Sequence, residues 1–524
     1  MSSALKQLNN YGPLMNMICG PDINFFINCY PKFNNFAMQI EPNKCNAPIG
    51  FNRTLTFSFN HSGDFAGQTF FKVKLPEIKL SYETSSINPT GFLLGRWIDY
   101  IGCYLFNKIS IRINNQQISE MSHNMMYIIQ EFTTPSAKRQ LLDKMLGMVP
   151  ELVAPVVGSA CKECILPAFE LMIPLPFWFC TNPSSFIPIC CCSSALPIDL
   201  VVEVNSLDRL LMLNPKVKYD IVTPLTIECF TNYVYIDTAS RNDFVSQPQT
   251  YLIEQFVNNG QIEGGNARDI QLNISGICKE IFIAAQHKSY VNPVSTTLTV
   301  PISSNQSMIV YTPSNQHTNF AVTAFNQKQN YVNTIDGFGP ATFYANVGTT
   351  YGDLIESVDF NFAGAKLMDI TDASVFNTVE PLWYHTSAPH NSGLHCYSFA
   401  LNPENAAPTG CVDFTMINNA NVFIKLRNHI LTQQVTNEQT TYSYIDADMD
   451  YVYALNKPTW ETDSSQISGS NVGIKPMLNP VMHGSKIDTL VTYTERLPAY
   501  YYYIYAINYN FLLFKNGYCG LKYS

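Results

Sequence analysis

The sequence predicts a mainly β protein of antiparallel strands with helical and loop insertions, and three observations carry that prediction. Short apolar runs with a period of two recur along the whole chain, helical periodicity is confined to one region, and prolines interrupt much of the remainder. In NRTLTFSFN (52–60), Leu55, Phe57 and Phe59 share one face, the pattern of a half-buried strand. KISIRINNQQI repeats it with Ile109, Ile111 and Ile113, then turns through Asn114 and Asn115, residues that tolerate turn geometry. VVEVNSL, NYVYID, EIFIAAQ, SVDFNF and NVFIKL continue the rhythm, which is that of sandwiches or barrels.

Helical spacing is clearest in SHNMMYIIQEF and SAKRQLLDKML, where Ser136 reads as an N-cap and Gly147 as a stop. An internal echo accompanies the strands. Ile109-x-Ile111-x-Ile113-Asn114-Asn115 can be laid on Val358-x-Phe360-x-Phe362-Ala363-Gly364, as two copies of one unit would require.

With 524 residues, 46% of them hydrophobic, the chain has material for two or three large cores. Charged residues are only 14%, against roughly 25% in ordinary soluble domains, while aromatics reach 13%. Such a fold must hide or share much of its surface. The net charge of -9 and the lack of a basic run argue against direct grip on nucleic acid. The first twenty residues lack the basic and apolar regions of a secretory signal. No apolar run reaches the roughly 18 residues of a membrane-spanning helix, which leaves only peripheral membrane contact. The 15 cysteines, odd in number and scattered, read as reduced and mostly buried thiols.

Near the N-terminus, GPDINFFINCYPKFNNFAMQIE is followed by SFNHSGDF, RWIDYIGCYLFNKISIRINNQQI and LMIPLPFWFCTNPSSFIPI. Further on come NYVYIDTASRNDF, TYLIEQ, ISGICKEIFIAAQ, CYSFALNPENAAPTG and the closing INYNFLLFKNGYCGLKYS. In this order the phrases resemble landmarks of the major capsid proteins of large eukaryotic double-stranded DNA viruses, over about the whole chain. Two phrases depart from the family pattern. PTGCVDFTMINNA lacks the usual arginine, and SGICKEI keeps Lys279 and Glu280 but not the His and Pro that often precede them.

The resemblance implies a double jelly roll, two eight-stranded antiparallel sandwiches. An N-terminal arm would span 1–25, the first roll 26–238, a connector 239–250 and the second roll 251–524. It further implies a homotrimeric capsomer of pseudo-hexagonal outline in an icosahedral virion shell assembled in the host cytoplasm. Its partners would be neighbouring capsomers, penton and minor capsid proteins, and an inner membrane, with no cofactor, metal or catalytic residue. Outer loops, chiefly 287–352 and the helical insertion near 120–165, would cover the outward face. An alternative reading gives those loops host-glycan binding, since jelly rolls also serve as lectins.

Candidate chemistry is sparse. Cys161-x-x-Cys164 is half a zinc or redox motif without a second half. Cys190, Cys191 and Cys192 would alternate faces along a strand and so could not easily share a metal. His385, His390 and His395 read as loop residues. Asp446, Asp448 and Asp450 start like a calcium loop but lack its glycine and its closing glutamate, and read as the polar face of a strand. Four glycosylation sequons begin at Asn52, Asn60, Asn273 and Asn305, of which Asn305 is expected to be the most exposed. Within 171–192, four prolines break any long helix. The stretch reads as two apolar strands joined by Thr181–Ser184, with Phe177, Trp178 and Phe179 in the core.

Overall fold

The computed structural model describes residues 34–82, 93–153, 164–193, 197–213, 217–265, 267–287, 355–389, 393–426, 500–515 and 517–523, with short pieces at 156–157, 299–303, 306–310 and 332–333. Sixteen strands form the framework. The first eight are β1 (Phe36–Cys45), β2 (Thr54–Ser58), β3 (Phe65–Leu75), β4 (Phe106–Ile113), β5 (Gln116–Ser122), β6 (Phe169–Pro174), β7 (Ile198–Val204) and β8 (Thr226–Ile236). The second eight are β9 (Gln249–Gly264), β10 (Ala267–Gln271), β11 (Ile277–His287), β12 (Ile355–Phe362), β13 (Ala365–Lys366), β14 (Leu394–Ser398), β15 (Ala420–Leu426) and β16 (Tyr500–Lys515).

Hydrogen bonding orders the first set as β6-β3-β8-β1 and β2-β7-β4-β5, joined at a corner where Lys44 pairs with Ser58. The second set is ordered β14-β11-β16-β9 and β10-β15-β12-β13. Adding eight to each label of the first set gives the second. Both are antiparallel jelly rolls, and the echo seen in the sequence falls on equivalent strands. β4 turns into β5 through Asn114 and Asn115 (φ 52° and 60°), and β12 into β13 through Ala363 and Gly364 (φ 51° and 84°). Two consecutive positive-φ residues match the right-handed twist of a hairpin, which explains why asparagine and glycine stand there.

The repetition extends to small features. After β6, the pair Ile187–Pro188 adds to β3 and a 3-10 turn follows at Ile189–Cys191. After β14, Val412–Asp413 adds to β11 and a 3-10 turn follows at Phe414–Met416. Between β8 and β9 lies a nine-residue helix, Thr238–Ser246, none of it buried.

Helices sit where the sequence predicts them, as α1 (His123–Thr133) and α2 (Ser136–Met145). Ser122 caps α1 by accepting a bond from the Met125 amide at 3.3 Å. Ser136 is not the cap of α2: Pro135 holds that position and fixes the entry φ, so Ser136 is already helical. Gly147 does end the helical run, at φ 92°.

The stretch 171–192 differs from its expected form. Its first part is strand and Ile187–Pro188 forms a two-residue strand on β3, but between them Trp178–Thr181 is a single helical turn and Pro183–Ser185 a 3-10 turn capped by the Asn182 side chain. Prolines at 174, 176, 183 and 188 leave too few consecutive donors for a second full strand. Phe177, Trp178 and Phe179 are nevertheless buried, as expected.

Candidate assembly surfaces

One apolar cluster fills the first roll and continues into the second. It takes in Leu55, Phe57, Phe71 and Ile111 between the first roll's sheets, then Ile253, Phe282, Leu394, Tyr503 and Tyr505 on the outer face of the second roll's β14-β11-β16-β9 sheet. A separate cluster fills the second roll, with Ile281, Ile283, Val358, Val422, Tyr502 and Ile504. β16 serves both. Tyr501, Tyr503 and Tyr505 point to the first roll while Tyr502 and Ile504 point to the second, because successive strand side chains face opposite ways.

What covers that outer face is β5, α1 and the Phe177 turn of the first roll. The Gln255 side-chain amide donates to the Ile118 carbonyl, Phe132 lies 5.2 Å from Phe282, and Phe177 lies 6.0 Å from Phe256. Tyr505 bonds with Ser122 and Asn124 of the first roll, and burial pushes its phenol up to about 12. Rings supply large buried area here with few degrees of freedom to order.

A polar cluster of the second roll lies beside the same seam. The buried Lys279 ammonium donates to Glu254 Oε1 and the Pro403 carbonyl, both at 2.7 Å, and lies 3.6 Å from Glu280 Oε1. Burial alone would lower its pKa, but Glu254 and Glu280 outweigh burial and hold it above the usual lysine value. Burial raises the Glu280 carboxyl in turn. His385 Nε2 stands 3.4 Å from Glu280 and its Nδ1 3.5 Å from Glu404, with the Phe132 ring 5.0 Å away. A cavity of about 370 Å³ opens beside them, lined by Trp178, Asn182, Phe256, Glu254, Lys279 and Tyr509 among others. Each carboxylate in the cluster faces a cation or an amide, and since all of these groups belong to the second roll the cluster ties β9, β11 and the segments at His385 and Pro403 together beside the seam.

His385 lies in irregular backbone after the short helix Glu380–Tyr384, as expected of a loop residue, with its side chain 1% exposed, whereas His395 is buried within β14 and corrects the expectation of a loop. His390 lies outside the described residues, as do Cys161, Asn305, Asp446, Asp448, Asp450 and most of 287–352. Cys190 and Cys191 occupy a 3-10 turn, not a strand, and Cys192 follows it. Burial pushes the Cys180 and Cys192 thiols up to about 12, so they stay protonated at neutral pH. The twelve described cysteines are free thiols, six of them buried and only Cys411 exposed. Asn52 and Asn273 are exposed, whereas Asn60 is partly covered and its side-chain amide donates to the Pro42 carbonyl at 3.0 Å.

Sequence reasoning quoted Lys279 and Glu280 only as a landmark and missed their partners. Glu254, Pro403 and Glu404 lie far along the chain, and no local spacing brings them together. No helix among the described residues is long and apolar enough to cross a membrane, which says nothing of strands.

Comparison with known proteins agrees with this geometry. Residues 24–237 match the family described as major capsid protein N-terminus, and residues 240–458 match the large eukaryotic DNA virus major capsid protein. The major capsid protein of Phaeocystis pouchetii virus is 25% identical over 503 residues, covering 82% of this chain and 94% of its own. That of Chrysochromulina ericina virus is 23% identical with the same coverages. Among solved structures, the PBCV-1 virus capsid subunit superposes with a TM-score of 0.62 at 19% identity, covering 96% of this chain and 100% of its own. The Faustovirus major capsid protein gives 0.58 at 12% identity, with 94% and 93% covered. Two matched family regions that together run from residue 24 to 458, laid over two jelly rolls of identical strand order, place this chain in the major capsid protein family of large eukaryotic DNA viruses.

Proposed function

We propose that three copies of this structural capsid protein close head to tail into a capsomer of pseudo-hexagonal outline, and that such capsomers tile an icosahedral shell. The observation that carries the reading is the strand-for-strand repetition of the two rolls, which gives a ring of three chains six similar sides. Heterologous contacts of this kind make closed rings when the rotation between neighbours closes. The low charge and high aromatic content suit a subunit with large obligate interfaces.

The reading extends to an arm over 1–25, rolls over 26–238 and 251–524 with a connector between them, and contacts with penton and minor capsid proteins and an inner membrane during assembly in the host cytoplasm. Of the sequons, exposure favours Asn273 and Asn52 over Asn60 as glycan acceptors, and Asn305 joins them on sequence grounds. Sedimentation of the purified protein is expected to give a trimer, and a monomer under assembly-like conditions would count against the ring. Limited proteolysis of intact particles should cut first within 287–352 or 120–165. Early cutting within 199–236, which holds most of β7 and all of β8, would contradict the orientation.

A further inference from the structure

We propose that the cavity at the seam between the two rolls is a binding site for a small organic ammonium ion, a positively charged nitrogen carried on a flat apolar body. The inference is independent of how copies of the chain assemble. The cavity's volume of about 370 Å³ falls in the range, roughly 300–1,000 Å³, of pockets that hold small ligands. Both rolls build it. Trp178 comes from the turn that follows β6 of the first roll, while Phe256 of β9 and Ile507 and Tyr509 of β16 come from the second.

The lining combines excess negative charge with aromatic walls. Glu254, Glu280 and Glu404 stand against the single ammonium of Lys279, and acids still outnumber bases by three to two when His385, 3.4 Å from Glu280, is counted as charged. Lys279 is no anchor for an anion, because Glu254 Oε1 and the Pro403 carbonyl already hold it at 2.7 Å. Glu254 is the open group. Its side chain is 28% exposed and only Oε1 takes a bond, which leaves Oε2 without a hydrogen bond among the described residues. Directly across from it on the neighbouring strand is Tyr509, since β9 and β16 pair Glu254 with Tyr509 and Phe256 with Ile507. Tyr509 is 5% exposed, and its hydroxyl has no hydrogen-bond partner among the described residues. A buried hydroxyl left unpaired costs free energy, which a bound donor removes. Cross-strand neighbours lie close enough for one ammonium to donate both to Glu254 Oε2, as a charge-assisted bond, and to the Tyr509 oxygen. Phe256, two residues along β9 on the same face, and Trp178 then flank the apolar body, and their ring faces attract the positive charge.

Isothermal titration calorimetry on the full-length protein tests this with 2-phenylethylamine as the probe. Its controls are 2-phenylethanol and phenylacetate, which keep the ring but carry no charge or the opposite one. The amine is expected to bind once per chain, and about tenfold or more tighter than either control. It should also raise the melting temperature as its concentration rises, because it binds the folded chain alone. Glu254→Gln keeps an acceptor for Lys279 and is expected to erase the preference for the amine. Ala406→Trp fills the cavity from an exposed position on its wall and should abolish amine binding, with circular dichroism showing the variant folded. If that variant does not fold, Ser185→Trp on the first roll's side of the cavity is read in its place. Equal binding of amine and alcohol, or an amine preference that survives E254Q, would overturn the ammonium assignment. Binding that persists in the filled variant would lie elsewhere on the chain and overturn the site. No amine binding by wild type up to millimolar concentration would overturn both.

Discussion

At the scale of single residues, buried ionisable groups carry the sharpest expectations. His123 opens α1 with its ring 5.2 Å from Tyr104, and burial pushes its imidazole down to about 4. Between about pH 4 and 6.5 it is neutral in the native state and charged in the unfolded chain. The unfolded chain then binds more protons, so stability rises with pH through that window and falls as pH drops. His123→Gln should flatten the slope, by up to about 1.4 kcal/mol per pH unit, in urea titrations across the window; an unchanged slope would assign the acid sensitivity elsewhere. Lys279 makes a different case, because it is a buried cation between carboxylates. Lys279→Ala leaves Glu254 and Glu280 without it and should cost about 3–5 kcal/mol in equilibrium unfolding. A loss below about 1 kcal/mol would mean the pair gains its stability from water.

Elements explain what the sequence made legible. Strands such as β2 and β7 bury one face only, so their alternation could be read directly, and Asn114-Asn115 marked a hairpin because few residues accept two positive φ values. β16 was harder. Both of its faces are buried, so Tyr500 to Asn510 shows no alternation and its service to two cores is invisible in one dimension. The stretch 171–192 has a strand at each end, as its sequence suggests, but the helical turn Trp178–Thr181 between them carries no local signal, because Pro174, Pro176 and Pro183 fit a strand edge and a turn equally well. The turn after α2 is a place where one residue fixes an element. A Cβ on Gly147 would stand 2.5 Å from Ile101 Cγ2, at a φ of 92° that L residues rarely adopt. Gly147→Ala should therefore destabilise the chain by about 1–3 kcal/mol in denaturant unfolding, and a neutral result would mean that Ile101 and the turn shift together.

For the whole molecule, the question is whether two rolls behave as one folding unit. Contacts between domains in a single chain are commonly polar and modest, and allow separate unfolding. Here the first roll's core runs without a break onto the outer face of β14-β11-β16-β9, and the seam includes fully buried rings. The C-terminal strand reinforces it, since the Ser193 amide donates to the Gly517 carbonyl at 3.0 Å and Cys192 bridges to Gly517. Unfolding the second roll alone would expose Phe132, Phe177 and Ile253 to water, and the first roll would lose apolar cover worth about 2 kcal/mol for each large side chain. Calorimetry at neutral pH should accordingly show one transition, with van't Hoff and calorimetric enthalpies in agreement once protein concentration is held low enough to remove self-association. Two separated peaks would show that the rolls melt independently, and that the seam is a contact between finished domains instead of part of a common core.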